Sequence, residues 1–369
     1  MYTERVGSRI VVKVGSSVLS SGPGKLDQRA LRRLANDLAA VRQQGGEVVV
    51  VSSGAILAGW QRLGLAARPK TTVAKQAAAA VGQSRLMRAW EAAFDRRGIA
   101  TAQVLLTQED VRQRHRYLNA RNTLFELLRL GVVPVINEND TVAVEEIKFG
   151  DNDVLSALVA GLIDADRLIL LTDQEGLFTA DPRRCASARL IERVPFNKAL
   201  EIEGGGAGPM GSGGMASKIR AARMAAAAGV KAVIAGGARP GVVRTLADGG
   251  RAGTLFEPRA GGLAQRKQWL AFASHPRGRI LVDDGARAAL VQRSKSLLPS
   301  GVRVVEADFD AGDVVSLVCR GAEFARGLTN YAAKELERIR GLKTSEIEGV
   351  LGHKPADEVV HRDNLAVLE

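Results

Sequence analysis

Cysteine is nearly missing from this chain of 369 residues, which has two, Cys185 and Cys319. They are far apart and form no C-x-x-C pair, so neither a disulfide framework nor a thiolate metal centre is indicated. Histidine is almost as scarce: His115, His275, His353 and His361 are the four, and none falls where an apolar strand-like run ends. No histidine is therefore placed as a catalytic base. No apolar run approaches the roughly 18 residues of a membrane span, and the N-terminus has no apolar signal-type core. These absences predict a soluble, cytosolic protein. Internal repeats are lacking, as are the P-loop pattern G-x-x-x-x-G-K-[ST] and a G-x-G-x-x-G after the first strand-like run.

Basic residues are in excess. The net charge is +12, which points to a phosphorylated partner, nucleic acid or nucleotide. Residues 276–369 hold 14 Lys/Arg against 15 Asp/Glu, so the excess lies upstream. There it is scattered arginine, as in "RRLANDLAAVR", and aromatics are only 4% of the chain. A solvated basic surface fits this better than a nucleic-acid groove, which interleaves cations with stacking rings. RNA binding by the C-terminal region is disfavoured on the same ground, because RNA affinity rests on phosphate neutralisation.

Apolar runs alternate with helical patterns through most of the chain. "RIVVKV", "EVVVVSS", "TAQVLLT", "GVVPVINEND", "DRLILLTD" and "VKAVIAGG" read as strands, and the segments between them as helices. In the first helix Leu31, Leu34, Leu38 and Val41 share a face. Long alanine-rich helices are expected across 70–97. The pattern predicts an α/β three-layer sandwich with a mainly parallel open sheet. After about residue 260 the rhythm changes to short strands ("GRILVDD", "GVRVVEA", "DVVSLVC", "EFARGLT"), which predicts a separate small β-rich domain. The expected division is a catalytic domain over 1–260, a linker over 261–275 and the small domain over 276–369.

Ligands of open parallel sheets bind at the carboxyl ends of the strands. Those ends read Lys13-Val14-Gly15-Ser16-Ser17, Ser52-Ser53-Gly54, Asn137-Glu138-Asn139-Asp140 and Thr172-Asp173. One such ending is ordinary turn chemistry; four together, one with a lysine, suggest a site. Lys13 is a cation inside an apolar strand and needs an anion or a strand end. Asp151, Asn152 and Asp153 precede "VLSALVAGL"; helix capping accounts for one of them and leaves the others for binding or orienting something. The glycine-rich loop 203–215 leads into a helix near Ala216 with Lys218 in its first turn, an arrangement that serves as an anion cradle or as a plain linker. Two lysines, two glycine-rich turns and several carboxylates suit phosphoryl transfer, which is mostly positioning and charge neutralisation. If the acceptor is a carboxylate, two anions at ~4 Å repel by about 4 kcal/mol at an effective dielectric near 20. Cations beside the transferred group offset that, and no base is needed because a carboxylate acceptor has no proton to lose.

The segments "VVKVGSSVL", "VSSGAI", "KQAAAAVGQSRLM", "VPVINEND", "FGDNDVLSALVA", "LLTDQEGLFTADPR" and "GSGGMASKI", in this order, closely resemble the glutamate 5-kinase family of the amino-acid kinase superfamily. The tail, with "GRILVDDGARAALVQRSKSLLPSGV" and "HRDN", resembles a PUA domain. The resemblance implies ATP-dependent phosphorylation of the γ-carboxylate of glutamate, the first step of proline biosynthesis, with Mg2+ held mainly by the phosphates and no protein ligand assigned to it. It implies catalytic roles for Lys13, Lys218 and Asp153, with both lysines on the phosphates and Asp153 between them. Ser53, Asp140 and Asn152 would bind glutamate, beside Gly54, Ala55 and Asp151. Thr172, Asp173, Ser212, Gly213, Gly214, Met215, Ala216, Ser217 and Lys218 would form the nucleotide site. Ser52 leaves open which of two adjacent hydroxyls touches substrate, although the family register favours Ser53. The resemblance further implies inhibition by proline, a dimer or tetramer, and a glutamyl phosphate reductase as a partner.

Overall fold

The computed structural model describes residues 7–112, 114–143, 151–196, 214–259 and 275–368. The chain divides into two compact units, the first built from Met1–Val111 and His115–Gly262, the second from Arg112–Arg114 and Leu263–Glu369. The expected linker lies outside the described residues except for His275. Among the described residues no helix is long and apolar enough to cross a membrane.

The first unit begins with β1 (Arg9–Val14), a short hairpin of β2 (Ser20–Gly22) and β3 (Lys25–Leu26), helix α1 (Gln28–Gln43) and β4 (Glu47–Ser52). Next come α2 (Ala55–Gly59), α3 (Thr72–Asp95), β5 (Thr101–Leu106), α4 (Gln108–Arg112), α5 (Arg114–Arg129) and β6 (Val133–Glu138). It closes with α6 (Asp151–Leu162), β7 (Arg167–Thr172), β8 (Arg193–Val194), α7 (Gly214–Ala227), β9 (Lys231–Gly236), α8 (Val242–Ala247) and β10 (Thr254–Phe256). Eight strands form one sheet in the order β5-β6-β4-β1-β7-β9-β10-β8. All six strands read from the sequence are parallel; only β10 runs antiparallel to β9, and β8 follows β10. The two short strands carried no sequence signal, because two or three residues are too few to show a period.

Side-chain alternation divides the central strand between two layers. Ile10, Val12 and Val14 pack with Leu31, Leu34 and Leu38 of α1 and Trp90 and Phe94 of α3. Val11 and Lys13 thereby face the opposite layer, where α6 lies on β1. Asp27 starts α1 by accepting the amides of Arg29 and Ala30 at 2.8 and 3.0 Å.

The alanine-rich stretch forms a single helix of 24 residues, where the composition suggested more than one. Its small residues let α2 come into backbone contact. A Cβ on Gly82 would lie 1.8 Å from the Ala55 carbonyl oxygen, and one on Gly59 would lie 1.9 Å from that of Ala78. Two glycines on facing helices thus fix where α2 sits, directly after the Ser53–Gly54 turn.

Among the described residues the second unit holds five strands: β11 (Gly278–Val282), β12 (Val302–Glu306), β13 (Val314–Cys319), β14 (Ala322–Leu328) and β15 (Leu365–Val367). Their order is β12-β11-β13-β14-β15, with only β11 and β13 parallel. Ile280, Leu317, Phe324 and Tyr331 are among its core residues. Four of these strands were read from the sequence; β15 was not.

Gly82→Ala is expected to destabilise the first unit by about 1–3 kcal/mol, because the facing atom is backbone and cannot swing aside. Chemical denaturation measures it, and an unchanged midpoint would show that α2 has room to move.

Candidate active site

The carboxyl ends of β1, β4, β6 and β7 open into a cleft of about 800 Å3 within the first unit. Lys13, Ser53, Gly54, Ala55, Asp140, Asn152, Asp153, Thr172, Asp173, Gly214, Met215, Ser217 and Lys218 all line it. Ala216 is exposed and is not among the lining residues. Ser212 and Gly213 lie outside the described residues, as does the side chain of Asp151.

Asp153 is the hub. Its carboxylate is 3% exposed and holds two ammonium groups, Lys13 Nζ on Oδ1 at 2.5 Å and Lys218 Nζ on Oδ2 at 3.2 Å. The Ser217 hydroxyl donates to Oδ2 at 2.6 Å. The layer assignment explains the first pair, since alternation turns Lys13 toward α6 and Asp153 stands in the first turn of α6. Helix α7 is described from Gly214, and Lys218 stands one turn along from there. From there its Nζ reaches back to the Gly214 carbonyl at 3.0 Å. That contact and Asp153 anchor a cation that would otherwise oppose the helix dipole.

Burial drives the Lys13 pKa below that of an ordinary lysine; Asp153 opposes the shift and Lys218 adds to it. Burial alone would raise the Asp153 carboxyl, but Lys13, Lys218 and the Ser217 hydroxyl carry it below the usual carboxylate range. The group sets two buried lysines against one carboxylate, and all three line the cleft. A buried arrangement of this kind stabilises a fold poorly and suits a ligand that adds negative charge.

Next to Asp153 in the chain, Asn152 ties three strand-end groups together. Its Oδ1 accepts the Glu138 amide at 3.1 Å, and its Nδ2 donates to Asn137 Oδ1 at 2.9 Å and to Ser53 Oγ at 3.2 Å. The adjacent serines divide their work. Ser52 is fully buried, accepts the Trp90 indole N–H at 2.8 Å and donates to the Ser53 carbonyl. Ser53 lines the cleft. On the third side Asp173 pairs with Arg183 at 2.8 Å, and burial is outweighed by backbone, Thr172 and Arg183 contacts that lower its pKa.

Several lining residues had no role from the sequence: Gly15, Ser16, Ser17, Asn137 and Glu138 at the strand mouths, and Arg68, Asp181 and Arg183 in loops. The strand-mouth rule reaches the first five. The loop residues had no periodic signal, since Arg183 arrives only because 173–190 folds back, with Phe178 bridging to Leu190. Among the described residues no group of three or more His, Cys, Asp or Glu could hold a metal ion.

Residues 8–236 match the amino acid kinase family and residues 278–351 match the PUA domain. Over nearly its full length the chain is similar to curated proteins named glutamate 5-kinase. One from Myxococcus xanthus (strain DK1622) is 53% identical over 367 residues, covering 99% of this chain and 97% of the relative. One from Moorella thermoacetica is 52% identical, covering 98% and 96%. A solved isopentenyl phosphate kinase substrate complex shares the fold at a TM-score of 0.51 and 19% identity, over 68% of this chain and all of that one. The chain therefore belongs to the amino acid kinase family and, by its full-length relatives, to the glutamate 5-kinases within it.

If Lys13 acts as an ammonium, its lowered pKa places the alkaline limb of free-enzyme kcat/KM below the ordinary lysine value. Asp153→Asn removes the contact that raises the Lys13 pKa and should move the limb of the residual activity to still lower pH. A pH–rate profile measures both, and an unmoved limb would mean that Lys13 and Asp153 are not coupled.

Proposed function

We propose that this chain transfers the terminal phosphoryl group of ATP to the γ-carboxylate of L-glutamate, forming L-glutamyl 5-phosphate and ADP, the entry step of proline biosynthesis. One observation carries the reading: a single buried carboxylate holds two ammonium groups at the mouth of a parallel sheet. A γ-carboxylate oxygen bonds to phosphorus while the bond to the β,γ-bridging oxygen breaks, and ADP leaves with the electron pair. No proton is removed from the acceptor, in keeping with a cleft that no histidine lines among the described residues. Lys13 and Lys218 neutralise charge on the group in transit, where donors fixed in advance are most effective. Asp153, tied by Ser217, keeps both ammoniums in register.

Nucleotide recognition falls to Thr172, Asp173 and the start of α7, including Gly214, Met215 and Ser217; the preceding Ser212 and Gly213 belong to the same reading. The two lysines and the first described turn of α7 fit a triphosphate. Glutamate recognition falls to Ser53, Gly54, Ala55, Asp140, Asp151 and Asn152. Magnesium, which would offset phosphate charge, has no cage of protein ligands among the described residues. It would be held through the nucleotide's phosphates.

The working parts lie within 1–260, with 261–275 as a linker and 276–369 as the PUA domain. The PUA region carries no basic surplus, with 14 Lys/Arg and 15 Asp/Glu, so its role is read as structural or regulatory rather than RNA-binding. The same reading includes proline as an inhibitor at or near the glutamate pocket, a homo-oligomer of two or four chains, delivery of the labile product to a glutamyl phosphate reductase, and a cytoplasmic setting.

Purified protein with ATP, magnesium and glutamate is expected to release ADP and, with hydroxylamine present, to form the hydroxamate. Lys13→Ala and Lys218→Ala should each lower kcat by roughly a hundredfold or more. Turnover of aspartate, acetylglutamate or a nucleoside monophosphate in place of glutamate would contradict the substrate assignment. Near-normal kcat in either variant would remove that lysine from the mechanism.

A further inference from the structure

Behind Ser53 and Asn152 lies a chain of side-chain amides that leaves the cleft and ends on the exposed edge of β5. Asn137, 2% exposed, donates through Nδ2 to Gln83 Oε1 at 2.8 Å. Gln83, on α3, donates in turn to Gln103 Oε1 at 3.4 Å. The direction of every amide in this chain follows from one group that cannot be reversed. The Glu138 backbone N–H can only donate, so Asn152 must present Oδ1 to it. Both Nδ2 hydrogens of Asn152 are then committed, one to Asn137 Oδ1 and one to Ser53 Oγ. Asn137 must turn its own Nδ2 toward Gln83, which must answer with an acceptor.

The consequence reaches the cleft. Ser53 Oγ accepts from Asn152, so its single hydrogen is left to donate, and among the described residues no acceptor takes it. A hydroxyl held in this sense presents a donor to an incoming carboxylate oxygen and matches an acceptor-only group better than a carboxamide.

We propose that Gln83 is a positioning residue for the acceptor substrate: its side-chain carbonyl holds the Asn137 amide, and through Asn152 this keeps the Ser53 hydroxyl pointed as a donor at the substrate carboxylate. The proposal rests on the assignment of glutamate to this wall of the cleft. Gln83 touches no reacting atom. Losing its acceptor leaves the buried Asn137 Nδ2 unsatisfied, and such groups recover partners by rotating. Asn152 then loses its second acceptor, and Ser53 loses its fixed orientation.

Steady-state kinetics on Gln83→Met, Gln83→Glu and Gln83→Lys tests this. Gln83→Lys, which offers no acceptor, and Gln83→Met, which offers only a weak thioether sulfur, should each raise the glutamate KM about tenfold, with the ATP KM and kcat at saturation within about twofold of wild type. Gln83→Glu keeps an acceptor and should retain a glutamate KM within about threefold. A glutamate KM unchanged in both Gln83→Met and Gln83→Lys would overturn the relay while leaving the kinase reading intact. The relay would also be overturned if Gln83→Glu were impaired as severely as Gln83→Met, or if the ATP KM rose in parallel with that of glutamate. Wild-type protein that does not turn over glutamate would overturn the assignment of the cleft and the relay with it.

Discussion

One carboxylate between two ammonium groups is the constraint on which the site depends. Left alone, Lys13 and Lys218 would crowd two like charges into a space that water barely reaches. Asp153 makes their proximity tolerable without neutralising it. Under the proposed function, the two lysines would meet a phosphoryl group in transit between two anions. Stability of the fold is not what such an arrangement serves, because a buried triad of charges rarely outdoes well-packed apolar residues.

The rest of the first unit can be understood as a means of delivering those three side chains. A parallel sheet collects its carboxyl ends along one edge, where β1 brings Lys13 and β4 brings Ser53. Alternation along β1 sends Val12 and Val14 into the α1–α3 layer and Lys13 into the α6 layer, so the lysine meets Asp153 without any special loop. On the far side, the backbone contact between Gly59 and Gly82 seats α2, and Ser52 joins Trp90 to the Ser53 carbonyl. The two groups are built differently: the one around Asp153 by charge, the one around Asn152 by neutral amides whose direction is dictated by a single peptide N–H.

What the sequence made legible follows the same physics. The central strands were plain because strands buried on both faces are nearly all apolar, and Lys13 stood out for that reason; β5, at the sheet edge, is only partly buried. The acidic run at 151–153 could be recognised as more than a cap, but not resolved, since capping and ligand binding use the same residue types. The choice between Ser52 and Ser53 needed the structure: one residue's difference along a strand sends one hydroxyl to Trp90 and the other to the cleft. Strands of two or three residues, such as β8, β10 and β15, owe their existence to neighbours rather than to any period of their own. The amide chain through Gln83 was beyond reach for a related reason, because glutamine on a helix surface has no pattern that distinguishes a solvated side chain from one aimed inward.

A crystal structure with a non-hydrolysable ATP analogue and glutamate tests the central claim most directly. The account predicts both the Lys13 and Lys218 ammonium nitrogens within hydrogen-bonding reach of the terminal phosphate, with Asp153 still in contact with both. Either nitrogen turned away from that phosphate, or Asp153 detached from the pair, would contradict it.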